Sequence, residues 1–150
     1  MERIVPTRAP FSFDGYRDSE TSHYSAQVFY DALQRELSFV QRESSSSVGV
    51  VKFTLPEAST ADQLLFFANE LELCIRRHDL ISRIAEREFV VLIRAGLAIQ
   101  EACDSLILRM SNVERRGFLF VKALSNGTKE LVQILSELDN PQFLTSSKNL

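Results

Sequence analysis

The chain has 150 residues, 45% of them apolar and 25% charged, a length and balance that suit one globular domain with a core needing no metal or disulfide staple. Its formal charge of −3 excludes a general attraction to nucleic-acid backbones or anionic membranes, and apolar runs such as Phe89 to Ile93 are far too short to span a bilayer. The N-terminus lacks a basic segment followed by an apolar one, and Cys74 and Cys103 lack a CxxC spacing or a nearby His cluster, so the chain reads as cytoplasmic with both thiols reduced.

Residues 1–22 carry Pro6, Pro10 and Gly15 among scattered charges with no sustained hydrophobic period, and read as a flexible tail. From Tyr24 to about Gln41, apolar residues at Val28, Phe29, Ala32, Leu33, Leu37 and Val40 recur at helical spacing. The serine run Ser44 to Ser47 breaks that helix. Val48 to Leu55 is β-branched and aromatic, bounded by the serines and Pro56, and reads as a strand. Thr60-Ala-Asp-Gln63 has the form of a capping box and opens a helix to about Arg77, with Leu64, Phe67, Ala68, Leu71 and Ile75 on its apolar stripe.

Leu80 to Ile84 and Glu88 to Ile93 read as two strands joined by a charged turn, Ala85-Glu86-Arg87, and alternation places Phe89, Val91 and Ile93 on one face. Ala98 to Met110 is helical in period, Phe118 to Ala123 is a strand with Phe118 and Phe120 on its core side, and Asn126-Gly127 is a turn. Thr128 to Leu138 closes the domain as a helix. The domain thus runs from 23 to 140, with 141–150 as a C-terminal tail. Without the outer helices the order is strand, helix, strand, strand, helix, strand. That is the split βαβ order of a ferredoxin-like α+β core, an antiparallel-containing sheet with helices packed on it. His23 and His78 are far apart and suggest no catalytic pair, and Glu114-Arg115-Arg116 reads as a solvated connector.

The segment from Arg76 to Ile93 resembles the lead-in and hairpin of GGDEF domains, the diguanylate cyclases. Arg76-x-x-Asp79 and Arg83 match the residues before the Gly-Gly-Asp/Glu-Glu-Phe turn, and Glu88-Phe89 match its end. Gly117 to Ala123 is similar to the family's later strand, and Lys129 to Leu135 to the start of its last helix. The likeness covers about Tyr24 to Leu138 and implies the ferredoxin-like core with additional helices.

Catalysis in that family needs carboxylates at two places to hold divalent cations against a GTP triphosphate. Here the first strand reads Val51-Lys52-Phe53-Thr54-Leu55-Pro56 with no acid, Arg87 stands where the family has a metal-binding Asp or Glu, and Ala85 and Glu86 replace the two glycines. The loop from Pro56 to Ser59 is also short for guanine recognition. The resemblance therefore implies a domain that is not an enzyme and that carries no cofactor or metal.

In the family the Arg-x-x-Asp pair forms an inhibitory site for cyclic di-GMP. A guanidinium can bond two acceptors on the guanine Hoogsteen edge, and a carboxylate can accept the N1–H and N2–H donors. Arg77, Arg83 and Arg109 are candidates for the cation that phosphate requires, the family's second-helix Arg falling on Ile107 or Arg109. The same pair also suits a brace, an Arg at the negative end of a helix dipole paired with an Asp across the turn. The reading that follows is a non-catalytic cyclic di-GMP receptor acting through contact with an unidentified protein. The alternative is a ligand-free interaction scaffold. A homodimer is compatible with either.

Overall fold

The structure, a computed structural model, describes residues 17, 21, 23–43, 45–96 and 98–150. Most of the stretch read as an N-terminal tail lies outside the described residues. The elements follow the expected order: α1 (Ala26–Arg42), β1 (Ser47–Thr54), α2 (Ala61–Cys74), β2 (Leu80–Ala85), β3 (Glu88–Gly96), α3 (Ile99–Val113), β4 (Leu119–Ser125) and α4 (Leu131–Leu138). A two-residue strand, β5 (Thr145–Ser146), follows. The fold is α+β, with one sheet in the order β2-β3-β1-β4-β5 and every pairing antiparallel.

The strand β1 is central because its sequence is apolar on both faces. Val51 and Phe53 point to one core, with Phe67, Phe89, Val91, Ile93 and Phe118, beneath α2 and α3. Val48 and Val50 point to the other, with Phe29, Leu33, Leu37 and Ile134, beneath α1 and α4. Helices therefore cover both faces: the two intervening helices lie on one, and the first and last on the other. The register expected for Phe89, Val91 and Ile93 is the one observed. Phe53, Phe67 and Phe118 form a ring cluster with centroids 5.3 to 5.9 Å apart, within the range of favourable edge contacts. Gly49 lets α3 come close, since a Cβ there would lie 2.7 Å from both Cys103 Sγ and Ile99 Cγ2.

Several boundaries differ from the sequence expectation, among them that β3 runs on to Gly96, α3 runs on to Val113 and α4 starts only at Leu131. The helix α1 starts after Tyr24, because Ser25 caps it by accepting the Val28 N–H, and Tyr24 itself is extended. Tyr24 donates its N–H to Ile81 O and accepts from Arg83 N–H, lying along the outer edge of β2. The helix α2 ends at Cys74, not Arg77, because Ile75 turns into an extended conformation. The hairpin tip shortens to Glu86 and Arg87, with an irregularity between Arg83 and Ala85 absorbing the remaining residue. Residues 141–150 are ordered against the sheet: Thr145 and Ser146 pair with Phe120 and Leu119, and Ser147 N–H donates to Phe118 O.

Candidate functional site at the end of the second helix

Where α2 stops, the chain makes a tight turn, closed by Asp79 N–H donating to Arg76 O at 3.0 Å. The Asp79 carboxylate accepts from the Arg76 backbone N–H at 3.2 Å, from Arg76 Nε at 3.1 Å and Nη2 at 3.3 Å, and from the Arg94 backbone N–H at 3.3 Å. Two carboxylate oxygens offer about four acceptor positions, so these bonds use its capacity. The Asp79 side chain is only 4% exposed, whereas that of Arg76 is 53% exposed. Asp79 thus fixes the guanidinium in orientation and leaves it facing solvent. Arg76 Nη2 also reaches Arg94 O at 3.5 Å, tying the turn to β3.

Arg76 and Asp79 form part of the walls of two cavities. One, of about 360 Å³, is also lined by Arg77, Glu72, Arg17, His23 and Tyr24. The other, of about 200 Å³, lies between α2 and α3 and is lined by Cys74, Ser105 and Arg109 as well. Arg77 therefore sits on one side of the pair and Arg109 on the other. Ile107, the other position considered for the second-helix Arg, is buried in the core. Burial, partly countered by Arg109, raises the Cys74 thiol above its ordinary range.

Arg83 is not brought to this site. It is fully buried at the other end of β2, donating Nε at 3.1 Å and Nη2 at 2.6 Å to Glu86 O, with its guanidinium 5.6 Å from the Phe89 ring centroid. It holds the hairpin tip closed and has no face for a phosphate. Sequence reasoning missed the N-terminal contributors instead. Arg17 lies 4.4 Å over the Tyr24 ring, and His23 is buried with Nε2 3.1 Å from Ala68 O. Residues that pair singly with a strand edge leave no periodic signature.

At the opposite end of the sheet, Arg87 Nη1 donates to Leu55 O at 2.6 Å and Leu55 N–H donates to Arg87 O at 2.9 Å, so the tip is clamped to the end of β1. Lys52 is 7% exposed, and its ammonium lies 3.3 Å from Glu88 and 3.1 Å from Asp139. Glu114 and Arg116 also depart from the reading as a solvated connector. Glu114 is buried and accepts from Arg116 Nε at 3.0 Å, Nη2 at 2.9 Å and the backbone N–H at 3.1 Å, while Arg116 Nη1 donates to Ser59 Oγ and Gln63 Oε1. No helix among the described residues is long and apolar enough to cross a membrane.

No protein-family profile matches the sequence, and no curated protein matches it. Solved structures do. The GGDEF domain of TpbB (YfiN) from Pseudomonas aeruginosa superposes with a TM-score of 0.68 at 19% identity, over 83% of this chain and 84% of that one. A microbial GGDEF domain described in its interaction with cyclic di-GMP gives 0.69 at 17% identity, over 83% and 88%. The GGDEF domain of DgcB from Caulobacter crescentus in complex with cyclic di-GMP gives 0.68 at 13%, over 85% and 88%. The chain therefore has the fold of a GGDEF domain.

Proposed function

We propose that this chain is a non-catalytic receptor for cyclic di-GMP, with Arg76 as the residue that reads the ligand and a protein contact as its output. The observation that carries this reading is the Arg76 guanidinium, locked by Asp79 yet half exposed between two cavities that add Arg77 on one side and Arg109 on the other. A preoriented fork loses little freedom on binding, and further cations nearby suit a ligand with two phosphates. Two of the similar structures are of GGDEF domains with cyclic di-GMP, which supports the ligand class. In this arrangement Asp79 orients Arg76 rather than pairing with guanine itself.

The far end of the sheet supports the absence of catalysis. A divalent cation fits poorly there: β1 offers Lys52 and Thr54, Glu88 is paired with the Lys52 ammonium, and Arg87 adds a second fixed cation. Like charge opposes a metal ion.

A second reading, the ligand-free scaffold, is favoured by the saturated Asp79 carboxylate, which suits a purely structural brace. Calorimetric titration with cyclic di-GMP separates the two. Saturable binding by the wild-type protein that is lost in Arg76→Ala supports the receptor; no heat at high micromolar ligand removes it in favour of the scaffold.

A further inference from the structure

The layer formed by α2 and α3 covers one side of the sheet, and its outer face carries large apolar side chains of its own. Phe66 and Leu73 on α2 and Leu108 on α3 are 50%, 77% and 55% exposed, whereas Leu64, Phe67, Leu71 and Ile107 on the inner side of the same helices are buried. Phe66 and Leu73 are seven residues apart, so they stand two turns, or about 10.5 Å, from each other on one side of α2. Apolar side chains gathered on one outward face mark a contact surface.

The two helices run antiparallel. A groove of about 380 Å³ is lined by Asp62 and Phe66 near the start of α2 and by Val113 and Arg115 at the end of α3, whereas the cavity at the other end joins Cys74 to Ala102 and Ser105. This register sets Leu108 level with the midpoint between Phe66 and Leu73. Along α3 the same seven-residue step leads from Glu101 through Leu108 to Arg115, and all three are exposed. The side chains of Glu101 and Arg115 have no hydrogen-bond or ion-pair partner among the described residues. The face thus has an apolar centre, an unpaired acid at one end of α3 and an unpaired base at the other.

We propose that this face joins two copies of the chain about a dyad that lies in the face and crosses both helices at the level of Leu108. Each α3 then lies antiparallel on the other, with Leu108 against the second copy's Leu108. Leu73 of each copy enters the groove beside Phe66 and Val113 of the other. Glu101 comes opposite the second copy's Arg115, and this pair forms twice. A dyad parallel to the helices would instead set Leu73 over the polar Asp104 and Ser105. A twofold contact requires a surface that complements itself, and the order of acid, apolar residue and base along α3 does so when reversed on its own copy. That complementarity selects a second copy as the occupant.

The size of the face sets the strength. Helices of 14 and 15 residues are about 21 to 22 Å long and pack about 10 Å apart, which gives a footprint of about 20 by 20 Å. Stable complexes commonly bury about 800 Å² on each partner, so this contact belongs to the weak, concentration-dependent class. It needs no nucleotide and does not involve Arg76.

The test is sedimentation equilibrium of the full chain, free of nucleotide, from about 10 µM to about 1 mM. A reversible monomer–dimer equilibrium is expected within that range. Leu73→Gln removes no core volume, so its thermal melt should match the wild type while dimer affinity falls by about tenfold or more. Glu101→Arg and Arg115→Glu each set like charges opposite one another and should weaken the dimer by about three- to tenfold, and the two changes combined should restore it. Arg76→Ala should associate like the wild type. The proposal is overturned if the chain stays monomeric at about 1 mM, if Leu73→Gln dimerises as tightly as wild type, or if the combined charge exchange recovers nothing. A dimer lost in Arg76→Ala would place the contact elsewhere and overturn it equally.

Discussion

Arg76 and Asp79 meet edge to edge, Nε to Oδ2 at 3.1 Å and Nη2 to Oδ1 at 3.3 Å, but only the carboxylate is buried. The two residues therefore differ in what their loss does. Arg76→Ala removes one side of a half-exposed pair and should cost at most about 1 kcal/mol of stability. Asp79→Ala leaves the Arg76 and Arg94 backbone N–H groups without their acceptor and should cost about 1 to 3 kcal/mol. Chemical denaturation of both variants measures the difference, and equal midpoints would contradict the brace. On the receptor reading, each should also weaken cyclic di-GMP by about one to two orders of magnitude, the second through lost orientation of Arg76.

Lys52 is the only ionised side chain on β1, and it bridges the start of β3 to the end of α4 through Glu88 and Asp139. Lys52→Met keeps much of the stem but strands the partly buried Glu88, so a loss of about 1 to 3 kcal/mol is expected in urea denaturation. The double change Lys52→Met with Glu88→Gln should recover part of it. No recovery would mean the network is not the source of the loss.

Incubation with GTP and Mg²⁺ or Mn²⁺ should yield no cyclic di-GMP by chromatography above a no-protein control. Arg87→Asp alone should not restore activity, because Lys52 still occupies Glu88 and β1 still lacks an acid. Turnover by either protein would defeat the non-catalytic reading.

Gly49→Ala would place a methyl group 2.7 Å from Cys103 Sγ and Ile99 Cγ2, both on α3. The helix must lift from the sheet or its side chains must leave their rotamers, so a loss of about 1 to 3 kcal/mol is expected. A thermal melt indistinguishable from wild type would show that α3 is not packed this closely.

Burial pushes the Cys103 thiol up to about 12 from an ordinary value of 9.0. Because the folded value is raised, the stability held by the neutral thiol is complete below pH 9.0 and lost as pH climbs towards about 12. Iodoacetamide at pH 8 should therefore leave Cys103 unmodified in the native protein and label it after denaturation, as mass spectrometry of the peptides would show. Native labelling at a rate like that of the unfolded chain would contradict the burial.

The sequence carried those features of the fold that repeat. Alternation at Phe89, Val91 and Ile93 and the stripes from Leu64 to Leu71 and from Phe29 to Val40 each repeat a packing constraint several times, and the observed elements follow them. Features made once were not legible. Tyr24 pairs with β2 as a single extended residue, and β5 is two residues long, so neither produces a period. Charge misled in a different way. Arg83, Glu114 and Arg116 are written like surface residues, and only the return of the Glu86 carbonyl and the approach of Ser59 and Gln63 show why they are held inside or against the body of the domain. At the candidate site, the spacing of Arg76 and Asp79 was enough to place them together, but not to reveal that Asp79 spends its acceptors within the protein.

The central place of β1 also bears on how the chain reaches its native state. Thr54 pairs with Glu88 on one side and with Leu119 on the other, so this strand finds its second neighbour only after the long excursion through the hairpin and α3. During synthesis, a ribosome-bound chain lacking β4 would hold β1 with one flank of backbone groups open, paired only to the hairpin side. Closing such long loops is entropically slow, and the interval leaves Val48 to Phe53 available for non-native strand pairing. A truncation before Leu119 should therefore aggregate rather than behave as a smaller stable domain.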